Sequence, residues 1–178
     1  MKSAFGIFVC CVILFSSCSN GDSIQPNKLI YSNDFEQLIG WSNCGLDIYI
    51  SDEQASNGTF SCKTDTINRY SLGFARRLPD ITKKGIRNIR LNAKIFPVGS
   101  ANAKMVVQIF KGNNNDSTLF WYGLDSQTIV KENNKWFEIR DLIALPPLPV
   151  DSRILIYFWN TGNMPLYIDE FNIEFIEK

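Results

Sequence analysis

The sequence predicts an all-β domain, an antiparallel sandwich or barrel of about ten short strands. Three observations carry this expectation. From Leu29 onward, β-rich runs are separated at short intervals by clusters of Gly, Asn, Asp and Pro. No apolar period of helical type is sustained for three turns. In Arg87 to Phe96, Ile89, Leu91, Ala93 and Ile95 alternate with Arg90, Asn92 and Lys94, so one face is core and the other is wet.

The chain opens on a different pattern. Lys2 precedes an apolar run from Ala4 to Phe15 and then Ser16-Ser17-Cys18, the charged, apolar and small-residue layout of a secretory signal. The run is shorter than the ~20 helical residues that span a bilayer. Phe15-Ser16-Ser17-Cys18 resembles the lipobox of bacterial lipoproteins, with Phe15 where that family prefers Leu. The resemblance implies cleavage before Cys18, diacylglycerol on its thiol, and anchorage in the bacterial cell envelope, on the periplasmic side or at the cell surface. Residues 1–17 are thus the expected signal peptide, 18–28 a lipidated and flexible tether, and 29–178 the folded domain.

Within that domain the expected strands are 29–36, 46–51, 59–65, 71–78, 87–96, 104–111, 117–124, 136–142, 152–160 and 165–176. Turns are marked by Ser56-Asn57-Gly58, Pro97-Val98-Gly99, Gly112-Asn113-Asn114-Asn115 and Thr161-Gly162-Asn163. Pro146-Pro147-Leu148-Pro149 reads as a rigid connection within one domain.

Composition removes several chemistries. The chain has 178 residues and no histidine, which excludes Ser-His-Asp and Cys-His catalysis, HExxH zinc sites and histidine pH switching. Eighteen basic and 18 acidic side chains give a net charge of +0, which supplies no electrostatic footprint for nucleic acid. Cys10 and Cys11 leave with the signal, and the domain keeps Cys44 and Cys62. A bridge between those two and a pair of free buried thiols are both open. Two cysteines without histidine do not make a structural zinc site.

A family resemblance spans most of the domain. Asn33-Asp34-Phe35-Glu36 with Gly40-Trp41, then Ser56 to Lys63, the strand 87–96, Asn134-Lys135-Trp136-Phe137 and Leu166 to Ile173 follow one another in the order seen in jelly-roll carbohydrate-binding modules. These belong to the galactose-binding-domain-like class. The resemblance implies an antiparallel β-sandwich of jelly-roll type with its first and last strands adjacent. It also implies a structural Ca2+, held by the Glu36 and Asp169 carboxylates and by main-chain carbonyls around Asn57 to Thr59.

A glycan ligand is the further expectation, since sugars stack on aromatic rings and bond to planar polar groups. In 152–160, Ile154, Ile156 and Phe158 form a core set, leaving Tyr157 and Trp159 on the outer, concave face. Gln108 lies between Val106 and Phe110 on a neighbouring strand, and one of Phe120, Trp121 and Tyr122 must face away from the core, with Trp121 taken as the binding ring. Arg90 and Asn92, outward on 87–96, complete the candidate set. Trp136 and Trp41 are read as structural.

Catalysis has no foothold. Glu170 and Glu174 are the only spaced carboxylates on a common strand face and read as a solvated edge. Val107-Gln108-Ile109-Phe110 resembles the Gln-Ile-His of alginate-type lyases with Phe110 in place of the histidine, which removes the reacting group. The expected protein is therefore a non-catalytic, lipid-anchored glycan binder. Its rival is a cell-envelope interaction or structural subunit, docking a protein partner on the same face. A polar groove favours the sugar, and a flat apolar patch favours the protein.

Overall fold

The computed structural model describes residues 29–37, 41, 49–112 and 117–178, and they form an antiparallel β-sandwich. The larger sheet holds β1 (Leu29–Asn33), β2 (Ile50–Ser51), β3 (Ser61–Thr64), β5 (Ile86–Pro97), β8 (Phe137–Ala144) and β10 (Leu166–Glu177). Its order is β2-β3-β10-β5-β8, with β1 also paired to β10. The smaller sheet holds β4 (Phe74–Arg77), β6 (Ala103–Lys111), β7 (Thr118–Asp125) and β9 (Ser152–Asn160), in the order β4-β9-β6-β7. First and last strands meet as expected, with Leu29 opposite Phe175 and Asn33 opposite Phe171.

The alternation in the sequence sets the two inner faces. Ile89, Leu91, Ala93 and Ile95 of β5 and Ile154, Ile156 and Phe158 of β9 are all fully buried. Between the sheets, Phe74 meets Tyr31 edge to face at 4.8 Å, and Phe158 meets Phe171 at 5.2 Å. Trp41 closes one end of this cluster, 5.2 Å from Phe171, with Nε1 donating to the Ser32 carbonyl at 3.2 Å. Burying each such ring contributes about 1.5–3 kcal/mol, which is why these positions hold the sandwich shut. Cys62 is a free, fully buried thiol pushed up to about 12 by burial, so it is inert at neutral pH. Cys44 lies outside the described residues.

The strand expected over 29–36 ends at Asn33, and three further elements differ from the observed ones, each for a local reason. The strand expected over 59–65 contracts to Ser61–Thr64, because the amides of Thr59 and Phe60 donate to Glu36 instead of to a ladder. The strand over 71–78 contracts to Phe74–Arg77, and a one-turn helix, α1 (Leu78–Ile81), follows it. Pro79 in its first turn has no N–H to contribute to a ladder and a φ suited to a helix start. In β10 a bulge lies between Asp169 and Asn172, with Glu170 at φ 48°. Leu166 and Ile168 face the core before it, and Phe171, Ile173 and Phe175 after it. The alternation therefore changes phase, and Asp169 shares a face with its outward partner Lys94 rather than with Phe171 and Ile173. Glu170 and Glu174 lie on that outer face in ion pairs with Lys94 and Arg90.

Candidate functional site

The outer face of the smaller sheet is built in cross-strand rows. Asp125, Lys104 and Trp159 form one row, Gly123, Val106 and Tyr157 the next, and Trp121, Gln108, Leu155 and Ala75 the third. Phe110, Arg153 and Arg77 follow. Tyr70 joins the first row through an isolated bridge to Trp159.

A cleft of about 500 Å³ opens on this face, with Gln108, Phe110, Arg153, Leu155 and Tyr157 among its lining and Tyr49 and Tyr70 beside them. Gly73 lets the 70–75 segment lie directly on β9, since a Cβ there would come within 2.9 Å of both the Ile156 carbonyl and Tyr157 Cβ. Burial, and then the neighbouring Tyr70, raise the pKa of the Tyr157 phenol, which therefore stays protonated. It donates to Gln108 Oε1 at 3.1 Å. That contact fixes the amide with its N–H groups as donors, a planar group suited to hydroxyl oxygens.

Beyond Val106 the face continues onto Trp121, which is 48% exposed. Its ring covers Gly123, and Val106, although outward, is fully buried between Tyr157 and this covered glycine. Phe120 and Tyr122, its neighbours in β7, face inward, and Tyr122 donates to Asp141 of the opposite sheet.

The structure brings together four of the expected site residues, Trp159, Tyr157, Trp121 and Gln108, on one face. Trp159 stands beside the cleft, half-buried and stacked on Tyr70 with 6.2 Å between centroids and 22° between planes. Arg90 and Asn92 are not part of this site. They belong to β5 of the other sheet, where Arg90 pairs with Glu174 and Asn92 Nδ2 donates to Glu138 at 2.9 Å. The outward phase was right, but strand order across the sandwich cannot be read from alternation. Tyr49 and Tyr70 were not foreseen, because they come from outside the sheet. Phe110 and Arg153 were within reach, because they share the phase of Gln108 and Tyr157.

Glu36 and Asp169 both act on one loop. Glu36 Oε1 accepts the amides of Thr59 at 2.7 Å and Phe60 at 2.6 Å, and Asp169 Oδ2 accepts those of Ser56 at 2.8 Å and Asn57 at 3.1 Å. Gly58, at φ 69°, supplies the turn and the space, since a Cβ there would lie 2.4 Å from Glu36 Oε1. A calcium shell takes oxygen acceptors, whereas this loop turns N–H donors toward both carboxylates. As arranged, Glu36, Asp169, Asn57 and Thr59 make a carboxylate-to-amide clasp and not the oxygen cage expected for Ca2+. Among the described residues no group of three or more His, Cys, Asp or Glu side chains is placed to hold a metal. Cys18, the expected lipidation site, lies outside the described residues.

Among the described residues lining the cleft, Arg153 is the one charged side chain, and no carboxylate is present. The arrangement offers rings, a planar amide and a guanidinium, groups able to bind and orient a ligand.

No family model and no curated protein matches the chain. The fold is shared with solved structures. The CBM22-1 xylan-binding domain of Paenibacillus barcinonensis Xyn10C superposes with a TM-score of 0.55 at 21% identity, over 86% of this chain and 97% of that one. The CBM22-2 xylan-binding domain of the same enzyme gives 0.52 at 12% identity, over 72% of this chain and 85% of that one. These are similarities of architecture, a jelly-roll β-sandwich in each case.

Proposed function

We propose that the protein is a non-catalytic glycan-binding protein, exported and held at the bacterial cell envelope by a lipid on Cys18. The carrying observation is the Tyr157–Gln108 pair on the floor of a ring-walled cleft on the smaller sheet. Aromatic walls offer apolar faces to sugar C–H groups, and the fixed amide and phenol meet hydroxyls. A concave, partly polar cleft is the form favouring a sugar over a protein partner. The xylan-binding names of the neighbouring structures support the same reading. The Phe15 to Cys18 run supports the anchor.

Electrophoresis of the purified protein through gels containing soluble xylans, β-glucans and pectins tests the binding reading. At least one polysaccharide should retard the folded protein, and Tyr157→Ala with Gln108→Ala should abolish the retardation. A folded protein retarded by none of them overturns it. For the anchor, Cys18→Ala should move the protein to the soluble fraction, and mass spectrometry showing an unmodified Cys18 overturns it.

A further inference from the structure

We infer that the cleft recognises acetylated sugar units, with the acetyl carbonyl met by Gln108 and the acetyl methyl by Leu155 and Ala75. This rests on the glycan reading above and narrows it to a ligand class. Among the described residues, the Gln108 side chain makes one hydrogen bond, and that bond takes its oxygen: Tyr157 donates to Oε1 at 3.1 Å. The amide is left with its N–H donors, and the phenol has already placed its proton. The pair is therefore matched by an acceptor that brings no hydrogen of its own.

What lies beside the pair is apolar. The row of Gln108 continues into Leu155 and then Ala75, on adjacent strands about 4.8 Å apart. Both line the cleft, as does Phe110, two residues along β6 from Gln108 and 4% exposed. Ser71, also in the lining, is satisfied within the protein: its hydroxyl donates to the Leu72 carbonyl at 3.1 Å and accepts the Phe158 amide at 2.9 Å. A sugar hydroxyl set against Leu155 and Ala75 would have to place a hydrogen where Gln108 Oε1 already holds the phenol proton, and a hydrogen bond left unmade there weakens binding. An acetyl group has no such hydrogen. Its carbonyl oxygen accepts from the Gln108 amide, and its methyl covers the aliphatic side chains on the next strands. The group occurs as an ester on a sugar hydroxyl or as an amide on an amino sugar, and both present the same carbonyl and methyl.

The test uses the full-length protein and two matched pairs of probes: an O-acetylated xylan against the same xylan after alkaline deacetylation, and N-acetylated chitotetraose against cellotetraose. The acetylated member of one pair or both should bind roughly tenfold more tightly, the discrimination that one small group in an apolar pocket supports. The pair that shows the preference identifies the linkage, ester or amide. Leu155→Asn and Ala75→Ser should each erase most of the preference, and Leu155→Met should keep it. Leu142→Asn, at an exposed position on the opposite sheet, should leave it intact. Equal affinity within both pairs overturns the inference and leaves the glycan reading standing. A preference that survives Leu155→Asn and Ala75→Ser in variants of unchanged melting temperature does the same, as does its loss in Leu142→Asn. Should Leu155→Asn not fold, Ala75→Ser decides. Binding to none of the four probes overturns the inference, and the gel panel above then decides the glycan reading separately.

Discussion

The indole of Trp121 occupies the space that a side chain on Gly123 would need, with Cη2 2.6 Å from the position of a Cβ. A ring standing on an edge strand would otherwise project into water. Here the absent side chain two residues away lets it lie down as a platform continuous with Val106 and Tyr157. Gly123→Val should lift the ring and weaken polysaccharide binding by roughly tenfold, about 1.4 kcal/mol, with Trp121→Ala giving a similar loss. Both variants should keep the parent melting temperature within about 3 °C, as surface changes do. Calorimetry on the two variants checks this, and undiminished binding by Gly123→Val would remove Trp121 from the site.

Trp159 and Tyr157 should separate in their effects. Trp159 is stacked on Tyr70, so Trp159→Ala should cost about 1–2 kcal/mol of stability through the lost ring pair and burial. Tyr157→Phe keeps the ring and loses only the bond to Gln108, so its cost should fall on affinity. Chemical denaturation beside binding titrations decides, and an unchanged affinity in Tyr157→Phe would show that the Gln108 orientation is irrelevant.

The loop at Ser56 to Phe60 is tied by the protein's own carboxylates. Glu36→Gln should lower stability by about 1.5–3 kcal/mol, the range for a hydrogen bond to a charged group. Adding a chelator to the parent protein should leave its melting temperature unchanged. A drop on chelation, reversed by calcium and absent in Glu36→Gln, would instead assign the tie to an ion that binds the folded state.

Two carboxylates should pull the pH profile in opposite directions. Lys63 and Tyr167 donate to Glu53 and hold it below its ordinary value of 4.5, so its stabilising contribution is complete above that value and is lost as pH falls through the lower folded value. Burial raises Asp169 above 3.8, against the pull of the Asn57, Ser56 and Glu170 amides. Its native form then holds the proton longer than the unfolded chain does, so its contribution falls as pH rises from 3.8 through the folded value. Melting curves from about pH 3 to 7 should show less acid-side loss in Glu53→Gln and more in Asp169→Asn. Identical profiles would mean that neither group is coupled to folding.

The strands were legible because a half-buried sheet alternates, as β5 does from Ile89 onward and β9 throughout. The binding face was legible to the extent that it shares a strand with a legible core, as Tyr157 and Trp159 do with Ile156 and Phe158. Arg90 and Asn92 were misplaced because periodicity assigns a side of a strand and says nothing about which sheet the strand joins. Strict alternation would put Asp169 on the face of Phe171 and Ile173, but one extra residue at Glu170, held at φ 48°, leaves no mark in a hydrophobic pattern. Tyr70 reaches the site by a single bridge, below the length at which any period can be detected.

The strand that organises the larger sheet, β10, bonds to β1, β3 and β5 and is the last in chain order among the described strands. A growing chain therefore lacks the middle of that sheet until residues 166–177 have been made, and β1 waits through nearly the whole of synthesis for its partner. Such distant pairing delays folding. Closure of the larger sheet is thus the last event the chain order allows: its two flanks are joined only when the final strand arrives between them.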